Sequence, residues 1–301
     1  MRILFITATR LGDAVLSTGI LAALIQRYPN ARMTIACGPV AADLFRNVPG
    51  LERILVMDKR RYDLHWLDLW RACAPQRWDI VVDLRGSATS FFLRAGRRHI
   101  MRGGRRPGRR LEHLAGVLNL TPPPLPTVWT TRAERDGAAR IIPPGPMVMA
   151  FGPTANWDGK IWPAERYVAV WHALHARYPQ ARLAVFYGPG EYEARLARPV
   201  LQALPDAIDA GAHFTLTQTA AMLARCALYV GNDSGLMHLA AATGIPTLGL
   251  FGPSRASEYA PAGLHARWIA APGPEGATPM TGLQTPDVAH AALTLLEDAR
   301  P

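Results

Sequence analysis

At 301 residues, 49% hydrophobic and 19% charged, the chain has the composition of a folded protein with length for two cores, which excludes a disordered polypeptide. No apolar run is long enough to cross a bilayer, and three scattered cysteines (Cys37, Cys73, Cys226) offer neither a disulfide framework nor a zinc site. The net charge of +10 is local: eight arginines and no acid lie in residues 94–110, and +10 less these eight leaves +2.

In chain order, residues 3–7 read as a buried strand and 13–27 as a helix, with Leu16, Ile20 and Leu24 four apart and Pro29 ending it. Polar Arg10 and Asp13 come too early for a secretory signal, so a cytoplasmic protein is expected. Strands follow at 33–36, 54–57 and 80–84, with a helix over 111–120. Residues 94–110 contain Gly103, Gly104, Pro107 and Gly108 and read as a loop or short turns. Pro122, Pro123, Pro124 and Pro126, then Pro143, Pro144 and Pro146, mark an interdomain connection holding a short helix near 133–141. Strands resume at 147–151, 182–187, 227–230 and 247–251, separated by helices near 164–177, 191–204 and 216–223. A closing helix over 285–296 is a candidate to pack back on the first domain.

Strands alternating with helices imply parallel sheets covered on both faces. The expected fold is α/β: two doubly wound, Rossmann-like domains, 1–145 and 146–301, facing a central cleft.

The most telling stretch is Gly231-Asn232-Asp233-Ser234-Gly235-Leu236-Met237-His238. An apolar strand stops at small and polar residues, and a helix begins at once. The unpaired amides and dipole of such a helix start favour a phosphate, and the glycines allow close approach. Capping by Ser234 or Asp233 and a buried, satisfied histidine at 238 is the plainer alternative.

Asp13 follows Gly12 after the first strand. It suits a helix N-cap, and equally a carboxylate that takes a hydroxyl proton. Lys160 closes the loop Gly152-Pro153-Thr154-Ala155-Asn156-Trp157-Asp158-Gly159, where an ammonium either meets solvent or neutralises a diphosphate. Glu191 opens a helix after Gly188-Pro189-Gly190; an acid there favours the dipole or holds ribose hydroxyls. Lys59-Arg60-Arg61 is a basic run, and Tyr62, Trp66, Leu69 and Trp70 recur at helical spacing after it, as a core stripe or a membrane-surface helix.

Taken in order, Arg10-Leu11-Gly12-Asp13-Ala14-Val15-Leu16-Ser17-Thr18, Asp83-Leu84-Arg85-Gly86-Ser87, Lys160-Ile161-Trp162-Pro163, Gly188-Pro189-Gly190-Glu191, Asp233-Ser234-Gly235-Leu236-Met237-His238 and Phe251-Gly252-Pro253 resemble glycosyltransferase family 9, the heptosyltransferases, over nearly the whole chain. The resemblance implies a GT-B fold and an inverting, metal-independent transfer of a heptose or related sugar from an ADP-sugar to a lipopolysaccharide core acceptor. It implies no cofactor.

The same resemblance makes Asp13 the general base. It puts Thr154, Lys160, Glu191, Asp233, Ser234, Gly235 and His238 on the donor, and turns Lys59, Arg60 and Arg61 toward an anionic glycolipid acceptor. Gly19 stands where relatives commonly carry proline, with an effect expected at the helix start. The basic segment 94–110 is expected to meet the inner face of the cytoplasmic membrane, giving a cytoplasmic, peripherally associated enzyme without a nucleic-acid partner. Competing readings are a uridine-donor transferase or sugar-nucleotide epimerase on the same fold, and a non-catalytic basic adaptor.

Overall fold

The computed structural model describes residues 1–103, 107–211 and 213–299. The chain divides into two compact units, Met1–Trp129 and Thr130–Pro301.

The first unit begins with β1 (Arg2–Ile6), α1 (Leu11–Arg27), β2 (Arg32–Cys37) and β3 (Leu51–Val56). It continues with α2 (His65–Cys73), β4 (Arg77–Asp83), β5 (Arg94–Ile100) and α3 (Arg110–Ala115). Its five strands are parallel in the order β3-β2-β1-β4-β5. The central β1 buries Ile3, Leu4, Phe5 and Ile6 completely, as a strand covered on both faces must.

Strand β5 corrects the expected loop. Arg94 to Ile100 pairs with β4, from Arg77↔Arg94 to Asp83↔Ile100. An edge strand is paired on one side only, so an arginine-rich sequence can form it with its charges outward. Arg105 and Arg106 of the basic segment lie outside the described residues.

Helix α1 buries the stripe Val15, Leu16, Ile20, Leu21 and Leu24. Gly19 sits in its middle, not at its start: a Cβ there would lie 2.5 Å from the Pro124 carbonyl oxygen and 2.6 Å from that of Leu125. The proline-rich segment therefore lies directly on α1, and the Thr127 amide donates to Thr18 Oγ1 at 2.9 Å.

The second unit opens with α4 (Arg132–Ile141), β6 (Val148–Gly152), α5 (Ala164–Arg177), β7 (Arg182–Val185) and α6 (Glu191–Ala203). Then come β8 (Ile208–Asp209), α7 (Leu216–Leu223), β9 (Leu228–Asn232), α8 (Gly235–Ala242) and β10 (Thr247–Phe251), followed by α9 (Ala256–Tyr259), β11 (Ala266–Ala270) and α10 (Thr285–Asp298). Its six parallel strands run β11-β10-β9-β6-β7-β8.

Helix α4 lies before the boundary expected at 145/146 yet belongs to this unit. Thr131 and Glu134 form a capping box, and the second oxygen of Glu134 accepts from Thr217 Oγ1 at 2.6 Å on α7. Two helices tied by a shared carboxylate move as one body, so the break falls at the extended segment before Thr131. Helix α10 packs on α5 and the sheet of its own unit, burying Val288, Ala292, Leu295 and Leu296 in the core that contains Phe151, Trp162 and Tyr167. Among the described residues no helix is long and apolar enough to cross a membrane.

Candidate functional site

In the second unit, the C-terminal ends of β6 and β9 are adjacent, with Gly152 paired to Gly231. Both glycines are required. A Cβ on Gly152 would lie 1.9 Å from the Tyr229 phenol oxygen, and one on Gly231 would lie 2.4 Å from it. Burial pushes the Tyr229 phenol up, with the Ser234 hydroxyl beside it acting the other way.

Beyond these glycines the chain turns into α8. Ser234 is the N-cap, and its Oγ accepts from the Met237 amide at 3.5 Å; Gly235 is the first helical residue. The expected cap at Ser234 is thus present, and the remaining amides of the first turn have no intrahelical acceptor. His238 is buried in the same helix, at 3% exposure, and its amide donates to the Ser234 carbonyl.

Lys160 ends a 3₁₀ turn, Asp158–Lys160, and its Nζ lies 2.5 Å from Asp233 Oδ2. The pair is mostly sheltered, with side chains 21% and 7% exposed. The two loops that sequence reasoning placed on one ligand are therefore adjacent in space. Thr154, in the same β6–α5 loop as Lys160, is buried. Glu191 is the first residue of α6 and is exposed, paired with Arg198 at 3.2 Å. Its neighbour Glu193 accepts from the Gly188 amide at 3.1 Å and holds the turn before it.

Two residues join these loops without having drawn notice in the sequence. Asn232, fully buried, accepts the Trp162 amide at 3.2 Å and the Tyr167 hydroxyl at 2.9 Å. It fixes the segment after Lys160 against the turn that begins at Asp233. Tyr192 Oη donates to Asp158 Oδ1 at 2.7 Å, linking the start of α6 to the Lys160 turn. The signal for Asn232 lay in its place between Gly231 and Asp233; its partners come from far along the chain.

In the first unit, Asp13 is not an N-cap. Helix α1 starts at Leu11 with Arg10 in the cap position and no side-chain cap bond. Asp13, in the first turn, accepts from Arg110 Nε at 3.1 Å, with side chains 20% and 23% exposed. Arg110 opens α3, 97 positions away, so no local pattern announces the pair.

The neighbouring strand ends in Asp83, fully buried and surrounded by five donors: the amides of Arg85, Gly86 and Ser87 and the hydroxyls of Ser87 and Ser90, all at 2.6–3.0 Å. This carboxylate holds the loop rigid and sets Arg85 over the Trp66 ring, 5.6 Å from its centroid. Lys59, Arg60 and Arg61 follow β3. Lys59 is exposed, Arg60 pairs with Asp68 at 2.6 Å, and Arg61 stacks on Tyr62 at 4.7 Å. Arg60 also lines a cavity of about 290 Å³ with Asp58, His65 and Asp68. Among the described residues no group of three or more His, Cys, Asp or Glu side chains is placed to hold a metal ion.

The chain is 23% identical to lipooligosaccharide heptosyltransferase 2 of Campylobacter jejuni over 281 residues, spanning 87% of this chain and 84% of that one. An alignment with the protein of the same description from Haemophilus influenzae, 29% identical, spans 38% of this chain and about a third of that relative (33%). Among solved structures, a family 9 glycosyltransferase from Veillonella parvula superposes with a TM-score of 0.83 at 22% identity, covering 99% of this chain and 97% of that one. The ADP-heptose lipopolysaccharide heptosyltransferase II of E. coli does so with 0.79 at 21%, covering 99% of both. Two parallel α/β sheets and these superpositions make the fold GT-B. Residues 122–281, more than half the chain and including the Lys160–Asp233 loops, match glycosyltransferase family 9 (heptosyltransferase), and the chain is a glycosyltransferase belonging to that family.

Proposed function

We propose that the protein transfers a heptose, or a closely related sugar, from an ADP-sugar to a lipopolysaccharide core acceptor, with inversion and without a metal ion. The observation that carries this reading is the Lys160–Asp233 contact at the start of α8, in the segment that matches the family. An ammonium, a carboxylate and a set of unpaired helix amides together suit a sugar diphosphate. The ammonium and amides meet phosphate charge, and the carboxylate accepts sugar hydroxyls.

In this reading Lys160, Thr154, Ser234, Gly235 and His238 surround the diphosphate, Asp233 meets the donor sugar and Glu191 the ribose. Lys59, Arg60 and Arg61 meet the anionic acceptor. Asp13 removes the proton of the acceptor hydroxyl as its oxygen bonds to the anomeric carbon. The bond from that carbon to the diphosphate breaks, and ADP leaves with the electron pair. Attack from the face opposite the leaving group inverts the centre. Arg110, bound to Asp13 Oδ1, orients the carboxylate. The leaving charge is met by Lys160 and the α8 amides, so no step calls for a metal. Family membership sets aside the non-catalytic adaptor. A lipid-borne acceptor places the work at the cytoplasmic face of the inner membrane.

The test is ADP release from ADP-heptose in the presence of deep-truncated lipopolysaccharide and excess chelator. Turnover should persist under chelator and depend on the acceptor. Silence with ADP-heptose beside activity with a uridine sugar would overturn the donor, and activity only with added metal would overturn the metal-free mechanism.

A further inference from the structure

Four large apolar side chains on two adjacent elements of the first unit are exposed. Leu67 is 39% exposed, Trp70 38%, Phe91 56% and Phe92 73%. Leu67 and Trp70 lie three apart on α2 and are exposed, whereas Leu69 and Cys73 are buried. The 3₁₀ turn Ala88–Phe92 runs along the same helix: Trp70 Nε1 donates to the Phe92 carbonyl and Thr89 Oγ1 to the Trp66 carbonyl, both at 3.4 Å. Large apolar side chains exposed together on adjacent elements mark an interaction surface.

Basic side chains border it. Arg71 follows Trp70 with its side chain 67% exposed, and exposed Arg94 donates to the carbonyls of Ala74 and Pro75 just past the end of α2. Of the acids nearby, Asp68 is held by Arg60 at 2.6 Å and faces Arg71 at 4.0 Å, while Asp63 is exposed one turn earlier. Aromatic side chains with a cationic border match the boundary of an anionic bilayer. Rings enter the headgroup region, and basic residues near the surface are drawn to anionic lipid. A second copy fits less well, because a two-fold contact would bring the arginines of one border toward those of the other.

We propose that α2 and the 88–92 turn form the surface on which the protein docks to an anionic bilayer. This deepens the transferase reading, on which it rests, by naming the face that meets the lipid bearing the acceptor. It differs from a contact through the whole arginine run. Within that run Arg98 is held by the carbonyls of Ser90, Leu93 and Ala95 of its own unit.

The test is co-sedimentation of the full chain with vesicles. The wild type should pellet with vesicles of phosphatidylglycerol and phosphatidylcholine and far less with phosphatidylcholine alone. Phe91→Ser combined with Phe92→Ser should weaken anionic-vesicle binding at least about tenfold. Arg71→Glu should weaken it severalfold on anionic vesicles only. Both variants should keep the wild-type melting temperature, and both should release ADP normally with a water-soluble core oligosaccharide as acceptor. A wild type that stays in the supernatant would overturn the proposal. So would a double serine variant that pellets like the wild type, or one whose only change is loss of a dimer in sedimentation velocity. If the oligosaccharide supports no ADP release while vesicle binding behaves as stated, the transferase reading fails and the docking surface stands.

Discussion

At the scale of single residues, the two charged contacts divide the expected chemistry. Asp13 touches Arg110 in one unit, and Lys160 touches Asp233 in the other. A base accelerates a proton transfer by about 10²–10⁴-fold. Asp13→Asn should therefore lower turnover by that order while leaving ADP affinity, measured by calorimetry, unchanged; equal losses in both would reject it as the base. Lys160→Met should lower turnover by about 10²–10³-fold and weaken ADP binding as well. The three cysteines make a separate prediction. Burial pushes Cys37 and Cys226 up to about 12, and Cys73 to about 11 with Arg53 pulling the other way. A raised thiol pKa means the neutral, unreactive form far above neutral pH. Ellman's reagent at pH 8 should release almost no thiolate from the native protein, and three equivalents once denaturant exposes Cys37, Cys73 and Cys226.

At the scale of elements, α1 and the proline-rich segment above it are fitted by Gly19. Replacing glycine by alanine inside a helix ordinarily gains about 1 kcal/mol. Here the added methyl group would meet two backbone carbonyls at 2.5–2.6 Å, and overpacking typically costs about 1–3 kcal/mol. The clash should win, so Gly19→Ala should lower the melting temperature; a rise would show that the segment yields easily. The elements that were legible share one cause. β1, β6, β9 and β10 are central strands buried on both faces, and their sequences are unbroken apolar runs between turn residues. Of the outer strands only β3 was read, at 54–57; β5, β8 and β11 were not. β5 carries three arginines, and β11 places Trp268 half in solvent, because a strand paired on one side needs less apolar sequence. The turn into α8 was readable because glycines and a capping serine must cluster where a strand hands over to a helix. Arg110 and Asn232 were not, since their roles come from partners far along the chain.

At the scale of the whole molecule, two sheets each end in outer strands with unpaired backbone groups. The second sheet limits one end with the two-residue β8 and holds Arg267 of β11 to Asp298 of α10 at 2.8 Å. The first sheet ends at β5, whose Arg97 is exposed opposite Ile80. An open strand edge is a template on which another chain can add itself, and rows of like charge are a common defence. Exposed Arg97 is the β5 residue suited to act as such a gatekeeper. Arg97→Val should leave ADP binding intact and bring turbidity on at a lower temperature during heating, and the same onset would refute the role. Part of the excess positive charge then has its reason in colloidal behaviour: it keeps neighbouring copies from stitching themselves together along that open margin.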